Sequence, residues 1–204
     1  MKFILFVEGL TEKRAVPQFL KRWIDPRVKQ NVGIQVVKFE GWPELVKDLP
    51  KKSKMYLDQP DVIAVIALLD LYGPTIYPDS EKGVSERFEW AKSELESKVN
   101  NARFFQFFAV HEVEAWLLSD PNIFAADIRS RFNKSIQRPE EVDFDEPPSK
   151  VLNRIYKEKT GHRYLKVTHG QQLFKKLDPS LAYDKCPYLQ RLLDKMLEIS
   201  KARV

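Results

Sequence analysis

The chain has 204 residues, 43% of them hydrophobic, and carries 34 Lys and Arg against 29 Asp and Glu, a net charge of +5. That supplies enough apolar material for one substantial core with an appended subdomain, and it excludes disorder as the default state. The single cysteine, Cys186, excludes an internal disulfide, and the lack of any CxxC pair excludes a cysteine-built zinc or redox centre, so a cytoplasmic location is expected.

The opening MKFILFVEGL is apolar only as far as Val7, where Glu8 interrupts it short of a signal-peptide core, and no small-residue cleavage site follows. Residues 3 to 7 and 62 to 69 are continuous apolar runs rich in β-branched residues, the pattern of strands buried on both faces, which requires helices on both sides. Ile34 to Phe39 and Phe104 to Val110 read as two further strands. The run from Val62 to Leu69 is the longest apolar stretch, far short of the roughly 20 residues of a membrane span, so no membrane partner is expected.

Helical patterns separate the strands. Thr11 to Trp23 predicts a first helix, with Thr11 as N-cap and Val16, Phe19, Leu20 and Trp23 on its apolar stripe; Pro17 inside it predicts a kink or a late start. Glu81 to Val99 predicts a charged helix, and Glu112 opens another running to Leu118. The alternation argues for an α/β fold with an open, mostly parallel four-stranded sheet.

After Asp120-Pro121 the character changes. Residues 133–148 combine five acids with Pro139, Pro147 and Pro148 and read as a mobile connector between an α/β domain at 1–132 and a helical subdomain at 149–204 packed on it. Lys150 to Lys159 and Tyr188 to Ser200 show helical spacing. From Lys150 onward there are 13 Lys and Arg against 5 Asp and Glu, so the basic character belongs to the C-terminal quarter. It suits a surface that meets a polyanion such as DNA or RNA, or a solvated helical face.

In an open parallel sheet, ligands gather outside the carboxyl ends of the strands. Glu8 follows the first strand, Asp70 the third, and His111, Glu112 and Glu114 the fourth. Acids clustered behind buried strands repel one another unless a cation sits among them, and all-oxygen donors select Mg²⁺ or Mn²⁺ over zinc. Taken singly, each is also an ordinary loop acid or a helix N-terminal charge.

Val7-Glu8-Gly9-Leu10-Thr11-Glu12 resembles the V-E-G-x-T-E opening of Toprim domains, the fold shared by topoisomerases, bacterial primases and the nucleases named for overcoming lysogenization defect. Asp70-Leu71-Tyr72-Gly73, His111-Glu112-Val113-Glu114-Ala115-Trp116, Pro148-Ser149-Lys150, His169-Gly170 and Cys186-Pro187-Tyr188 resemble, in order, the motifs of a small stand-alone bacterial family of unknown function placed beside the Toprim proteins. The resemblance implies a Toprim fold, a Mg²⁺ site and action on nucleic-acid phosphodiesters, with some relatives acting in phage defence beside a separate ATPase. By position it implies Glu8 as metal ligand or general acid/base, Asp70 as the first aspartate of D-x-D, and Glu12, Glu112 and Glu114 as further metal acids. Tyr72 stands where the second aspartate of D-x-D would, which removes a carboxylate from a second metal position.

A cation beside the acids would neutralise transition-state charge, for which Lys150 and Lys166 are the candidates, and His169 either donates to a phosphate or caps a turn. Trp42, just beyond a strand end, either stacks on a base or packs at the rim. The second histidine of H-E-x-x-H is missing, which argues against a zinc protease, and neither a G-x-x-x-x-G-K-[ST] nor a G-x-G-x-x-G occurs among seven glycines, which argues against a nucleotide-hydrolysing P-loop or a dinucleotide fold. The leading expectation is a Mg²⁺- or Mn²⁺-dependent Toprim-like nuclease; the alternative is a non-catalytic nucleic-acid- or partner-binding module.

Overall fold

The computed structural model of the chain describes residues 1–80, 83–132, 137–141 and 146–202. Four strands, Lys2–Val7 (β1), Gly33–Lys38 (β2), Val62–Asp70 (β3) and Phe104–Ala109 (β4), form one sheet in the order β2-β1-β3-β4, and every neighbouring pair is parallel. This is the open parallel α/β architecture that the alternation of elements predicts. β3 is buried from Val62 to Leu69, as its unbroken apolar run requires. β2, at one edge, is only partly covered and carries the polar Gln35 and Lys38.

The crossovers are helices: Leu10–Ile24 (α1), Trp42–Leu57 (α2) and Val84–Val99 (α3). Right-handed connections put α1, which leads from β1 outward to β2, on one face, and α2 and α3, which lead the other way, on the opposite face. Accordingly α2 packs on α3 and β3, whereas α1 packs on β2 and on helices from the end of the chain. α1 begins at Leu10 with Gly9 at its cap, so Thr11 lies inside it, and the helix continues through Pro17 to Ile24. α3 starts at Val84; residues 81 and 82 of the predicted stretch lie outside the described residues.

α2 carries Pro43 in its first turn, where a missing N–H costs nothing, and Pro50 further in. Its buried positions are Leu45, Leu49, Ser53 and Leu57, one every four residues, which is the stripe a helix lays on a sheet.

The remaining helices are Glu114–Leu117 (α4), Ala126–Arg129 (α5), Pro148–Thr160 (α6), Lys166–Lys176 (α7), Pro179–Lys185 (α8) and Pro187–Ala202 (α9). Three rings join the two ends of the chain: Phe19 of α1 lies 5.9 Å from Trp116 of α4 and 5.6 Å from Phe174 of α7, and Trp116 and Phe174 are 6.3 Å apart. Trp23 stacks on Tyr183 of α8 at 4.3 Å. The C-terminal helices therefore share one continuous apolar core with the sheet. Of the acidic connector, residues 133–136 and 142–145 lie outside the described residues. What is described is anchored: Pro139–Glu141 forms a turn with Glu140 buried, and Pro147 and Pro148 are buried.

Because β1 crosses to β2 on one side and β3 to β4 on the other, the carboxyl ends of β1 and β3 flank the point where the winding reverses. That crevice is where open α/β sheets place their ligands.

Candidate metal and phosphate site

Glu8 leaves the end of β1 into this crevice. Its Oε1 accepts the Asp70 N–H at 3.3 Å, and its carboxylate also receives the Trp42 N–H at the start of α2. Gly41 brings that N–H into reach with a φ of +96°, a conformation that a side chain would strain. Trp42 is thus the first residue of α2, half-buried against the core.

Asp70 closes β3, and its Oδ1 accepts the Val113 N–H at 3.3 Å. Val113 is presented by a sharp turn after β4, where buried His111 adopts a left-handed φ of +62°. A non-glycine residue held there costs about 1 kcal/mol or more, a kind of strain that concentrates at functional positions. Just beyond Val113 the chain enters α4 at Glu114.

Glu112 and Glu114 meet a single cation. Glu112 Oε1 pairs with Lys166 Nζ at 2.7 Å, and its Oε2 accepts the Ser149 N–H at 3.0 Å at the start of α6. Glu114 is 1% exposed; its Oε2 stands 3.8 Å from the same ammonium, and its Oε1 is buried with no hydrogen-bond partner among the described residues. Glu12, buried in the first turn of α1, folds back so that its carboxylate lies over Gly9, where a Cβ would collide with it. The N-termini of α1, α2, α6 and α7 thus all supply residues or N–H groups to this cluster, and their positive dipole ends favour negative charge.

The electrostatics follow. Burial pushes the Asp70 carboxyl well above its ordinary range, and the charges of Glu12, Glu114 and Glu8 push it further. Burial raises Glu8 and Glu12 as well, and raises Glu114 to about 7 against the pull of Lys166. Glu112 moves the other way: burial opposes ionisation, but Lys166 and the Ser149 hydrogen bonds outweigh it and hold the carboxyl below its usual value. Burial likewise works against the Lys166 ammonium, yet Glu114, Glu112 and Asp70 together raise its pKa. Five carboxylates share one ammonium.

Lys150 and His169 are not drawn into this group. The Lys150 side chain is exposed on α6, and it is the neighbouring Ser149 that contributes, through its backbone. His169 Nδ1 accepts the Leu165 N–H at 2.9 Å, and its ring stacks on Tyr156 at 4.9 Å. Tyr72 turns outward, 47% exposed. Two tyrosines that the motifs did not single out border the acids. Tyr77 donates its hydroxyl to Leu71 O at 3.0 Å, and its phenol is pushed up by burial and by Glu8 and Asp70. The buried Tyr164 hydroxyl, raised by burial and by Glu114 and Glu112, has no hydrogen-bond partner among the described residues.

A family model described as a domain of unknown function (DUF4276) matches residues 7–197. The chain belongs to that family. No curated protein matches this DUF4276 sequence. Among solved structures, the C-terminal region of the Burkholderia pseudomallei OLD protein is 18% identical, covers 97% of this chain and 98% of that one, and gives a TM-score of 0.46. The C-terminal region of the Xanthomonas campestris pv. campestris OLD protein is 17% identical over 97% and 95% of the two chains, with a TM-score of 0.47.

Among the described residues, no three or more Asp, Glu, His or Cys side chains of this DUF4276 chain are grouped so as to hold a metal ion. The donor chemistry nevertheless fits a hard divalent cation: every donor is oxygen, negative charge exceeds positive, and the partnerless Glu114 Oε1 is a buried acceptor. The residues that would supply its oxygens are Glu8, Glu12, Asp70, Glu112 and Glu114, and holding an ion would require their side chains to rearrange from the positions they take here.

Proposed function

We propose that this protein is a Toprim-like nuclease that hydrolyses phosphodiester bonds of DNA or RNA with Mg²⁺ or Mn²⁺ at the cluster of Glu8, Glu12, Asp70, Glu112 and Glu114. The observation that carries the reading is that acids from three strand ends and from α1 converge at the switch point of the sheet around one ammonium. A divalent ion bound there would polarise a phosphoryl oxygen and lower the pKa of water. The chain's own groups supply the rest. Asp70, fixed by the Val113 N–H, and Glu8, fixed by the Asp70 and Trp42 N–H groups, are rigid oxygen donors at the crevice, and Glu8 is the one placed to hold or take a proton. Lys166, half exposed, neutralises charge on the equatorial phosphoryl oxygens, while Lys150 and His169 lie further out as contacts to neighbouring phosphates.

The resemblance to nucleases that act in phage defence beside a separate ATPase supports the same role here. The test is cleavage of DNA and RNA with Mg²⁺ or Mn²⁺ by wild type, Glu8→Gln and Asp70→Asn. Both variants should lose activity by on the order of 100-fold or more while keeping their thermal midpoints. Full cleavage by either variant refutes the assignment.

A second reading has its own support. Glu8 and Glu112 each already receive N–H groups at helix starts, and Tyr72 presents a ring to solvent rather than an acid to the site. The protein would then be a non-catalytic module that binds nucleic acid or a partner protein, identified by salt-dependent binding with no product at any metal concentration.

A further inference from the structure

α1 and α7 pack along one another, in contact where Thr11 lies against Gly170, a spacing so close that a Cβ at Gly170 would stand 3.2 Å from the Thr11 methyl. Further along, Arg22 reaches across and donates to Phe174 O and, at 3.2 Å, to Lys175 O at the end of α7. Between these two points the helices leave a groove of about 310 Å³ lined by Arg14, Gln18, Arg22, Gln171 and Lys175. Its floor is Ala15 and buried Phe174. The groove begins within a turn of Glu12 on α1 and shares α7 with Lys166, both members of the acid cluster.

The charge of this groove sets it apart. No acid lines it, and the side chains of Arg14, Gln18, Gln171 and Lys175 have no hydrogen-bond or ion-pair partner among the described residues. Asp178, whose charge reaches Arg22, is turned to the start of α8, where its Oδ1 accepts the Ser180 N–H at 2.8 Å. Two other clefts also carry cations, but acids line both: Glu146 and Glu158 stand beside Lys150, Arg154 and Lys157 on α6, and Asp120 stands beside Arg129 and Lys185. On α6, Arg154 is paired with Glu146 at 3.0 Å. Beside α5, Lys185 donates to Ser119 O at 2.7 Å and Arg129 to Asn122 at 3.2 Å. Arg14, Gln18 and Arg22 recur every four residues, so they form a row along one face of α1 that spans about 12 Å at 1.5 Å per residue.

We infer that this groove is the track along which one strand of the nucleic-acid substrate runs, its phosphates held by Arg14, Arg22 and Lys175 and its sugars and bases within reach of Gln18 and Gln171. The assignment rests on the nuclease reading for its substrate class. Cations and amides alternating without a carboxylate suit a backbone contacted at regular intervals and not read by sequence.

The test is fluorescence anisotropy of a short labelled single-stranded oligonucleotide in EDTA, over a range of salt, with wild type, the double variant Arg14→Ala/Lys175→Ala, and Lys157→Ala on α6 as control. The double variant should bind about tenfold or more weakly, and its salt slope should fall by about 0.7 for each cation removed, while the control binds as wild type does. Wild-type affinity in the double variant, an equal loss in the control, or no salt-dependent binding by wild type overturns the assignment. EDTA suppresses cleavage, so this outcome is independent of whether Asp70→Asn abolishes activity.

Discussion

Glu114 and Glu140 are both buried carboxyls raised to about 7, and burial is the first cause for both, yet they live in opposite surroundings. Glu140 comes from the acidic connector and sits at the start of α9, where Oε2 accepts the Tyr188 N–H at 2.8 Å and Oε1 the Leu189 N–H at 3.2 Å. Both oxygens are used, and the positive end of a 16-residue helix faces them. Glu114 has Glu12 and Glu112 as charged neighbours, one oxygen near a shared lysine and one oxygen with no hydrogen-bond partner among the described residues. Similar titration thus arises from a satisfied structural acid and from an unsatisfied one, and only the second calls for a ligand.

The largest separation between them should come from truncation. Glu140→Ala leaves the part-buried Tyr188 and the buried Leu189 N–H groups of α9 without acceptors and should cost about 2–4 kcal/mol of stability, measured by denaturant unfolding. Glu114→Ala should cost far less, because it removes repulsion within the cluster, but it should abolish the rise in thermal midpoint produced by added Mg²⁺. A Glu140→Ala variant as stable as wild type would erase the distinction.

The pH response separates them next. A carboxyl raised in the folded state contributes stability that is fully present below its unfolded value of 4.5 and lost as pH rises through its folded value. Metal-free protein should therefore lose stability between about pH 5 and about pH 8, with both acids contributing, each tenfold change in proton affinity being worth about 1.4 kcal/mol. Adding Mg²⁺ at about pH 8 should restore the share belonging to Glu114 and leave that of Glu140 untouched, so the Glu114→Gln variant should show a shallower profile and no Mg²⁺ response. Glu112 runs opposite: its lowered value means that its contribution is held at neutral pH and lost below about pH 4.5.

The smallest effect is reserved for a residue on the rim of neither region. Lys150→Ala, which removes an exposed side chain, should change stability by less than about 0.5 kcal/mol and leave the Mg²⁺ response intact.

The contrast also shows what is legible in a sequence. β1, β3 and β4 could be read from their apolar runs, and the placing of Glu8, Asp70 and Glu112 at strand ends followed from them, because a strand's boundary and the acid behind it are local signals. The stripe of Leu189, Leu192, Leu193 and Met196 on α9 is local in the same way. Lys166 stands 54 residues beyond the Glu112 that it pairs with, so nothing near it distinguishes it from Lys150; only the docking of α7 on α1 does. The sequence offered both Lys150 and Lys166 for the ammonium; the structure brings Lys166 to the acids, and of the Ser149-Lys150 pair only the Ser149 amide reaches them. Glu140 was hidden by composition: among acids and prolines a connector is the natural reading, and only burial beside α9 shows that one of those acids is a cap. α2 was masked by Pro43 and Pro50, residues that usually end a helix. The spacing of Leu45, Leu49 and Leu57 was the signal that could have recovered it.

The ammonium of Lys166 gives the acid cluster an internal counter-ion, and this bears on how the molecule matures. A site whose charges are balanced only by a metal must wait for that metal before its surroundings can order, as small zinc domains do. Here part of the opposing charge, the Lys166 ammonium, arrives on α7 with the rest of the polypeptide. Refolding from urea in a chelating buffer should accordingly reach the native state in full, with the acid cluster assembled before any ion is added.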